Sequence, residues 1–178
     1  DIDFLSRIIK PNIGIITHIG YSHLEGLNSI AGVLKVKSEL INHVKKAGAV
    51  IVPDCKHLSY WKNMRDDISF YTFGKNPSAS YYPSQIKMTK GGLSFFIESI
   101  HLKKRIRIKT KLIGMHNVFN ILASFAAIHI SKLNIEEFIE GLKNLQNPPQ
   151  RLTLKAWINQ SQIIDDSYNA NPDSMKAA

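Results

Sequence analysis

Along the 178-residue chain the spacing of hydrophobic and polar positions changes several times, and each change marks an element. Ile2, Leu5, Ile8 and Ile9 recur at helical spacing, which predicts a short helix over 2–9, ended by Pro11. Ile13 to Thr17 is a nearly continuous apolar run, the pattern of a buried parallel strand. A loop over 18–28 follows, then an amphipathic helix over 29–46 with Gly48 as its stop. Ala49 to Val52 reads as the next strand. The strand–helix–strand order predicts a βαβ unit and a doubly wound, mostly parallel α/β core. A helix over 54–66 and a strand over 68–73 extend that core.

The pattern shifts over 80–111 to alternating segments around Lys90-Gly91-Gly92, which predict antiparallel hairpins. Helical spacing returns over 115–131 and 135–146. Asn147-Pro148-Pro149-Gln150 is stiff and polar, and marks an expected domain boundary. The domains expected are therefore 1–149 and 150–178. In the second, strands are expected over 152–158 and 162–164, and Pro172 opens a helix at the favoured first position.

Charge adds one feature to this picture. The net charge is +9, and Lys103, Lys104, Arg105, Arg107, Lys109 and Lys111 hold much of it. Such a balance favours anionic partners. From Arg105 to Lys111 the cations alternate with Ile106, Ile108 and Thr110, as on a strand with one wet face. A nucleic-acid-binding module is the alternative this charge raises, but no helix-turn-helix, zinc motif or aromatic RNA-binding strand accompanies it. Cys55 is the single cysteine, so no internal disulfide forms, and a reducing cytoplasm suits the chain. No apolar stretch approaches the roughly 20 residues of a membrane span. The chain has no initiator Met and no basic leader, and is expected to be an internal fragment.

Periodicity singles out several candidate sites. On the helix over 29–46, Lys37 lies among Val33, Leu34, Leu40 and Ile41, within the apolar stripe. It either snorkels along the stripe to water or is held as a low-pKa amine able to form a metal-binding carbamate. Lys35 belongs to the polar face, with Glu39 at i+4. His18, Ser22, His23 and Glu25 follow the first strand, where open α/β sheets bind ligands. A metal, proton transfer or no role at all is compatible with them. Asn117, Asn120 and Ser124 share one face of a helix that begins at Gly114. An amide stripe at a helix N-terminus can meet a base edge and nearby phosphate, or simply cap the helix. Asp165 and Asp166 follow a strand end, a place for either a ribose-binding carboxylate or a turn.

Taken in order, these segments resemble the Mur ligases. Thr17-His18-Ile19-Gly20-Tyr21-Ser22-His23-Leu24-Glu25-Gly26 is similar to their T-N-I-G-x-x-H-L-E-G loop, and Ser29 to Leu40 to the helix after it. Gly114-Met115-His116-Asn117-Val118-Phe119-Asn120 resembles G-R/M-H-N-x-x-N, and Gln150-Arg151-Leu152 resembles the G-R-L/M turn at the domain junction. Asp165 to Met175 looks like the signature of the D-alanyl-D-alanine-adding member. The resemblance runs essentially end to end and is weakest over 54–110.

It implies the later part of a central ATP-binding domain over 1–149 and the start of a second, Rossmann-like domain over 150–178. It implies His23 and a carbamylated Lys37 as ligands or supports of a magnesium ion, with both in catalytic roles. Asn117 and Asn120 would approach the adenine of ATP, Arg151 its phosphates and Asp166 its ribose. The implied reaction joins D-Ala-D-Ala to UDP-MurNAc-tripeptide through an acyl phosphate, in a cytoplasmic, monomeric enzyme of cell-wall precursor synthesis that binds no nucleic acid. Another amino-acid ligase of the same family is the nearest alternative. Three departures stand out: His18 replaces Asn, Gln150 replaces Gly, and no G-x-x-G-K-[ST] phosphate loop is present. The chain alone is therefore expected to lack ligase activity.

Overall fold

The computed structural model describes residues 1–20, 29–89, 91–168 and 175. Helix α1 (Ile2–Ile9) leads into strand β1 (Ile13–Ile15). Helix α2 (Ile30–Asn42) starts at Ser29, whose side chain accepts from the Gly32 N–H at 3.0 Å. Strand β2 (Ala49–Pro53), helix α3 (Leu58–Met64) and strand β3 (Ser69–Phe73) complete a three-stranded parallel sheet in the order β1-β2-β3. The expected βαβ unit is present, with Ile13 opposite Ala49 and Ala49 opposite Ser69.

Strand β2 is buried on both faces, which explains its unbroken apolar sequence. Val50 and Val52 pack with Ile41, Val44 and Trp61 on the α2–α3 side. Ile51 points the other way, toward Phe73, Tyr81, Leu122 and Phe125. That second layer is built by helix α4 (Met115–Ile130), helix α5 (Ile135–Asn144) and an antiparallel sheet. The sheet contains β4 (Tyr82–Thr89), β5 (Gly92–Glu98) and β6 (Ile106–Thr110), in that order. Leu93, Phe95, Ile97 and Ile108 fill its inner face. Gly92 has φ 131°, and a Cβ there would meet the Thr110 carbonyl oxygen at 2.0 Å, so only glycine admits this strand approach. A register shift between Ser84 and Lys87 accompanies a left-handed Gln85 (φ 51°), a bulge that twists β4. A final hairpin pairs β7 (Thr153–Ala156) with β8 (Gln162–Asp165).

Three expectations change. Helix α1 turns its apolar residues outward: Phe4, Leu5, Ile8 and Ile9 are exposed, and Ser6 is the buried one. Its polar edge docks on α2, because the Asp3 N–H donates to Glu39 Oε2 (3.1 Å) and Asp3 Oδ1 meets His43 Nε2 (2.6 Å). Glu39 is thus turned toward α1 and makes no ion pair with Lys35 among the described residues. Helix α2 also stops at Asn42, short of 46. The Arg65 guanidinium, held by Asp67, donates to the carbonyls of Ile41, Asn42 and Val44, satisfying the helix end early. The expected helix at Pro172 lies outside the described residues. Among those residues no helix is long and apolar enough to cross a membrane.

Candidate functional site

Two groups of polar residues sit where the fold ends its strands and starts its helices. The first is built by α2 and the end of β1. Val33 and Ile41, four residues to either side of Lys37, are fully buried, and the helix carries Lys37 into the same side of the molecule. Its Nζ donates to the His18 carbonyl at 2.8 Å. The lysine is half-buried, and desolvation lowers its pKa below the ordinary value. Lys35, two residues earlier, is exposed. So Lys37 spans from α2 to the chain just past β1, through a contact that is itself exposed. His23, together with Ser22 and Glu25, lies outside the described residues. Among the described residues no three of His, Cys, Asp and Glu gather as a metal-ligand set.

A half-buried amine is a suitable chemical precursor for the group expected here. Its lowered pKa raises the neutral fraction, the form that reacts with carbon dioxide. The resulting carbamate would turn a cation into an oxygen-donor anion, a ligand type suited to magnesium.

The second group forms where the N-terminus of α4 meets the connection into β7 and the end of β8. Gly114 is the N-cap, with φ 91° and no capping side chain. A Cβ there would sit 2.6 Å from His116 Cε1 and 3.0 Å from Leu152 Cδ1, so glycine permits the close approach of all three. Asn117 Nδ2 donates to the Ile113 carbonyl (2.8 Å) and to Asn147 Oδ1 (3.4 Å). Asn147 Nδ2 in turn donates to the Leu152 carbonyl (3.1 Å), and the Leu152 N–H donates to Asp166 Oδ1 (3.2 Å). Asn120 is exposed one turn along the helix, its Nδ2 donating to Asn117 Oδ1 (3.4 Å). Arg151 lies with its guanidinium carbon 4.1 Å from the Tyr168 ring centroid, a stacked cation.

Asn117, Asn120, Arg151 and Asp166 are therefore brought into one neighbourhood, and Lys37 belongs to a different element pair. The electrostatics agree: desolvation lowers the His116 pKa, Asp166 pulls it up, and Arg151 pushes it down. The first-turn amides of α4, without a side-chain cap, add positive potential beside Arg151. Asp165, the neighbour of Asp166, is engaged elsewhere. Lys155 Nζ (2.6 Å) and the Ser167 hydroxyl hold its carboxyl down at about 2. Asn147 and Tyr168 were not singled out by sequence. Asn147 sits in a Pro-flanked linker and Tyr168 in a polar run, and neither position shows its partner in any local spacing.

The fold is shared with known proteins. Residues 1–128 match the Mur ligase middle domain. The UDP-N-acetylmuramoyl-tripeptide–D-alanyl-D-alanine ligase of Bacillus subtilis is 33% identical across 100% of this chain, which spans 37% of that protein. A crystal structure of MurF from Acinetobacter baumannii superposes with a TM-score of 0.89 at 26% identity, over 99% of this chain and 38% of that one. A MurF ligase from Thermotoga maritima in complex with ADP has the same fold, with a TM-score of 0.80 at 19% identity over 98% of this chain and 40% of that one. The chain thus covers less than half the length of the relatives it matches. It belongs to the Mur ligase family, and residues 1–128 fall in that family's middle domain.

Proposed function

We propose that the protein carrying this chain is an ATP-dependent ligase of the MurF type, joining D-Ala-D-Ala to UDP-MurNAc-tripeptide in peptidoglycan precursor synthesis in the cytoplasm. Residues 1–149 supply the later part of its central domain, and 150–178 begin its C-terminal domain. The tripeptide carboxylate takes the γ-phosphoryl group of ATP, releasing ADP; the dipeptide amine then attacks the acyl phosphate, losing its proton, and phosphate leaves as the amide forms. A bound magnesium ion would offset the charge of phosphate and carboxylate. Lys37, as a carbamate, and His23 would hold it. Asn117 and Asn120 would meet the base, Arg151 would approach the phosphates, and Asp166 would offer a carboxylate oxygen to the ribose. The protein's contribution is mainly to position the reactants and stabilise developing charge.

The placement of Lys37 supports this reading most strongly. A half-buried amine bonded to the His18 carbonyl, just past a parallel strand's carboxyl end, with its pKa lowered by desolvation, suits carbamate chemistry. In the full-length protein, Lys37→Ala is expected to lower D-Ala-D-Ala-dependent phosphate release by about 10–100-fold or more, the scale of losses at metal-supporting groups. An added short-chain carboxylic acid should restore part of it. An unchanged rate would refute the assignment. A panel of L-alanine, diaminopimelate, lysine and D-Ala-D-Ala as acceptors separates this member from its relatives.

A further inference from the structure

The outer face of the antiparallel sheet carries charge of one sign. Arg107 and Lys109 on β6 are exposed, and the strand register sets Lys109 and Lys87 on either side of Ser94. Arg105 and Lys111 continue the alternation beyond the strand ends, and Lys103 and Lys104 precede it, all exposed. Residues two apart on a strand are about 6.6 Å apart, and neighbouring strands about 4.8 Å. The cations therefore form a patch and not a single file. Glu98 is the acid of this face, and Ser84 Oγ donates to it at 2.6 Å. Among the described residues, none of Lys87, Arg105, Arg107, Lys109 and Lys111 enters an ion pair. Packing does not call for this. The inner face already fills the core, and like charges gathered on one sheet face oppose folding.

The connection at the end of this sheet selects the partner. Phe96 and Tyr82, which the register sets opposite Glu98, are aromatic residues of this face, and the Arg105 guanidinium covers the Phe96 ring at 4.2 Å. Ile100, in the connection from β5 to β6 and three residues before Lys103-Lys104-Arg105, is 85% exposed. An apolar side chain thrust into solvent beside a cation cluster has no use against a phosphodiester backbone. It does have one at a lipid interface.

We propose that this face docks the protein on the surface of an anionic phospholipid bilayer, with the cations on the headgroups and Ile100 inserted at the acyl boundary. Docking is reversible and electrostatic, so it weakens as salt shortens the screening length. It is independent of the ligase reading, since none of these residues belongs to the site described above.

The test is co-sedimentation of the full-length protein with vesicles of equal phosphatidylglycerol and phosphatidylcholine, and with phosphatidylcholine alone. Binding is expected to the anionic vesicles only, and to fall with salt. The double variant Arg107→Gln, Lys109→Gln should lower the partition coefficient roughly thirtyfold. Ile100→Ser should lower it severalfold, with melting curves and ligase turnover of both variants unchanged. No vesicle binding, equal binding to both lipids, or an unaffected double variant would overturn the proposal. So would tighter, salt-sensitive binding of single-stranded nucleic acid that ignores Ile100→Ser, which would assign the face to phosphodiesters.

Discussion

Gly114 shows how one residue sets the geometry of the group at the start of α4. Its positive φ starts α4 at the angle that brings His116 under Leu152, and its missing side chain leaves room for both. Gly114→Ala is expected to destabilise the protein by about 1–3 kcal/mol, from left-handed backbone strain and the clash together. Urea unfolding measures this, and a loss below about 0.5 kcal/mol would contradict the packing described. At the same scale, Lys37 was legible in sequence because a charge inside an apolar stripe breaks a rule of amphipathic helices. Asn117 was legible only in part. Its place at the helix start is local, whereas its bond to Asn147 joins positions 30 residues apart.

At the level of elements, α4 is tied to the strand region by a polar pair inside an aromatic cluster. Tyr81 is fully buried and its hydroxyl lies 2.8 Å from His129 Nδ1, with Phe125 stacked on the imidazole. His101 packs against Tyr81 and Tyr71 from the β5–β6 connection. Burial pushes Tyr81 up to about 12 from 10.0. Desolvation, then the neighbouring His101, lowers His129 below 6.5. The Tyr81 contribution is complete below pH 10 and is lost as pH rises toward 12, because the unfolded phenol ionises first. The His129 contribution is complete above pH 6.5 and is lost as pH falls below it, because the unfolded imidazole protonates first. The urea midpoint should therefore plateau between those limits and fall on both sides. Tyr81→Phe should flatten the alkaline limb and keep the acid one. An alkaline limb unchanged in that variant would show that the phenol is not held in its neutral form.

For the whole molecule, the parallel sheet is covered on both faces, yet apolar surface remains at one end. Phe4, Leu5, Ile8 and Ile9 of α1 are exposed, and Ile15 on edge strand β1 is 38% exposed. Contiguous apolar side chains beside a sheet edge promote association. The chain produced alone is expected to self-associate, and Leu5→Gln with Ile8→Glu should reduce this, as read by light scattering. A monodisperse parent chain at the same concentration would disprove it.

Element order, the βαβ core, the antiparallel segment and the family are legible in the chain alone, because these rest on local periodicity and on short motifs. The chain alone also marked Lys37, Asn117, Asn120, Arg151 and Asp166, through motif resemblance and, for Lys37, through stripe position. What remains depends on contacts between residues distant in the chain. Helical spacing gave α1 an apolar face but not its direction, and the bonds from Asp3 to Glu39 and His43 turned that face outward. Periodicity carried α2 to 46, but Arg65, a distant cation held by Asp67, closed it at Asn42. Asn147 and Tyr168 became part of the site only when the linker folded back on α4. Partners that far apart in the chain leave no local period, so only the folded molecule brings them together.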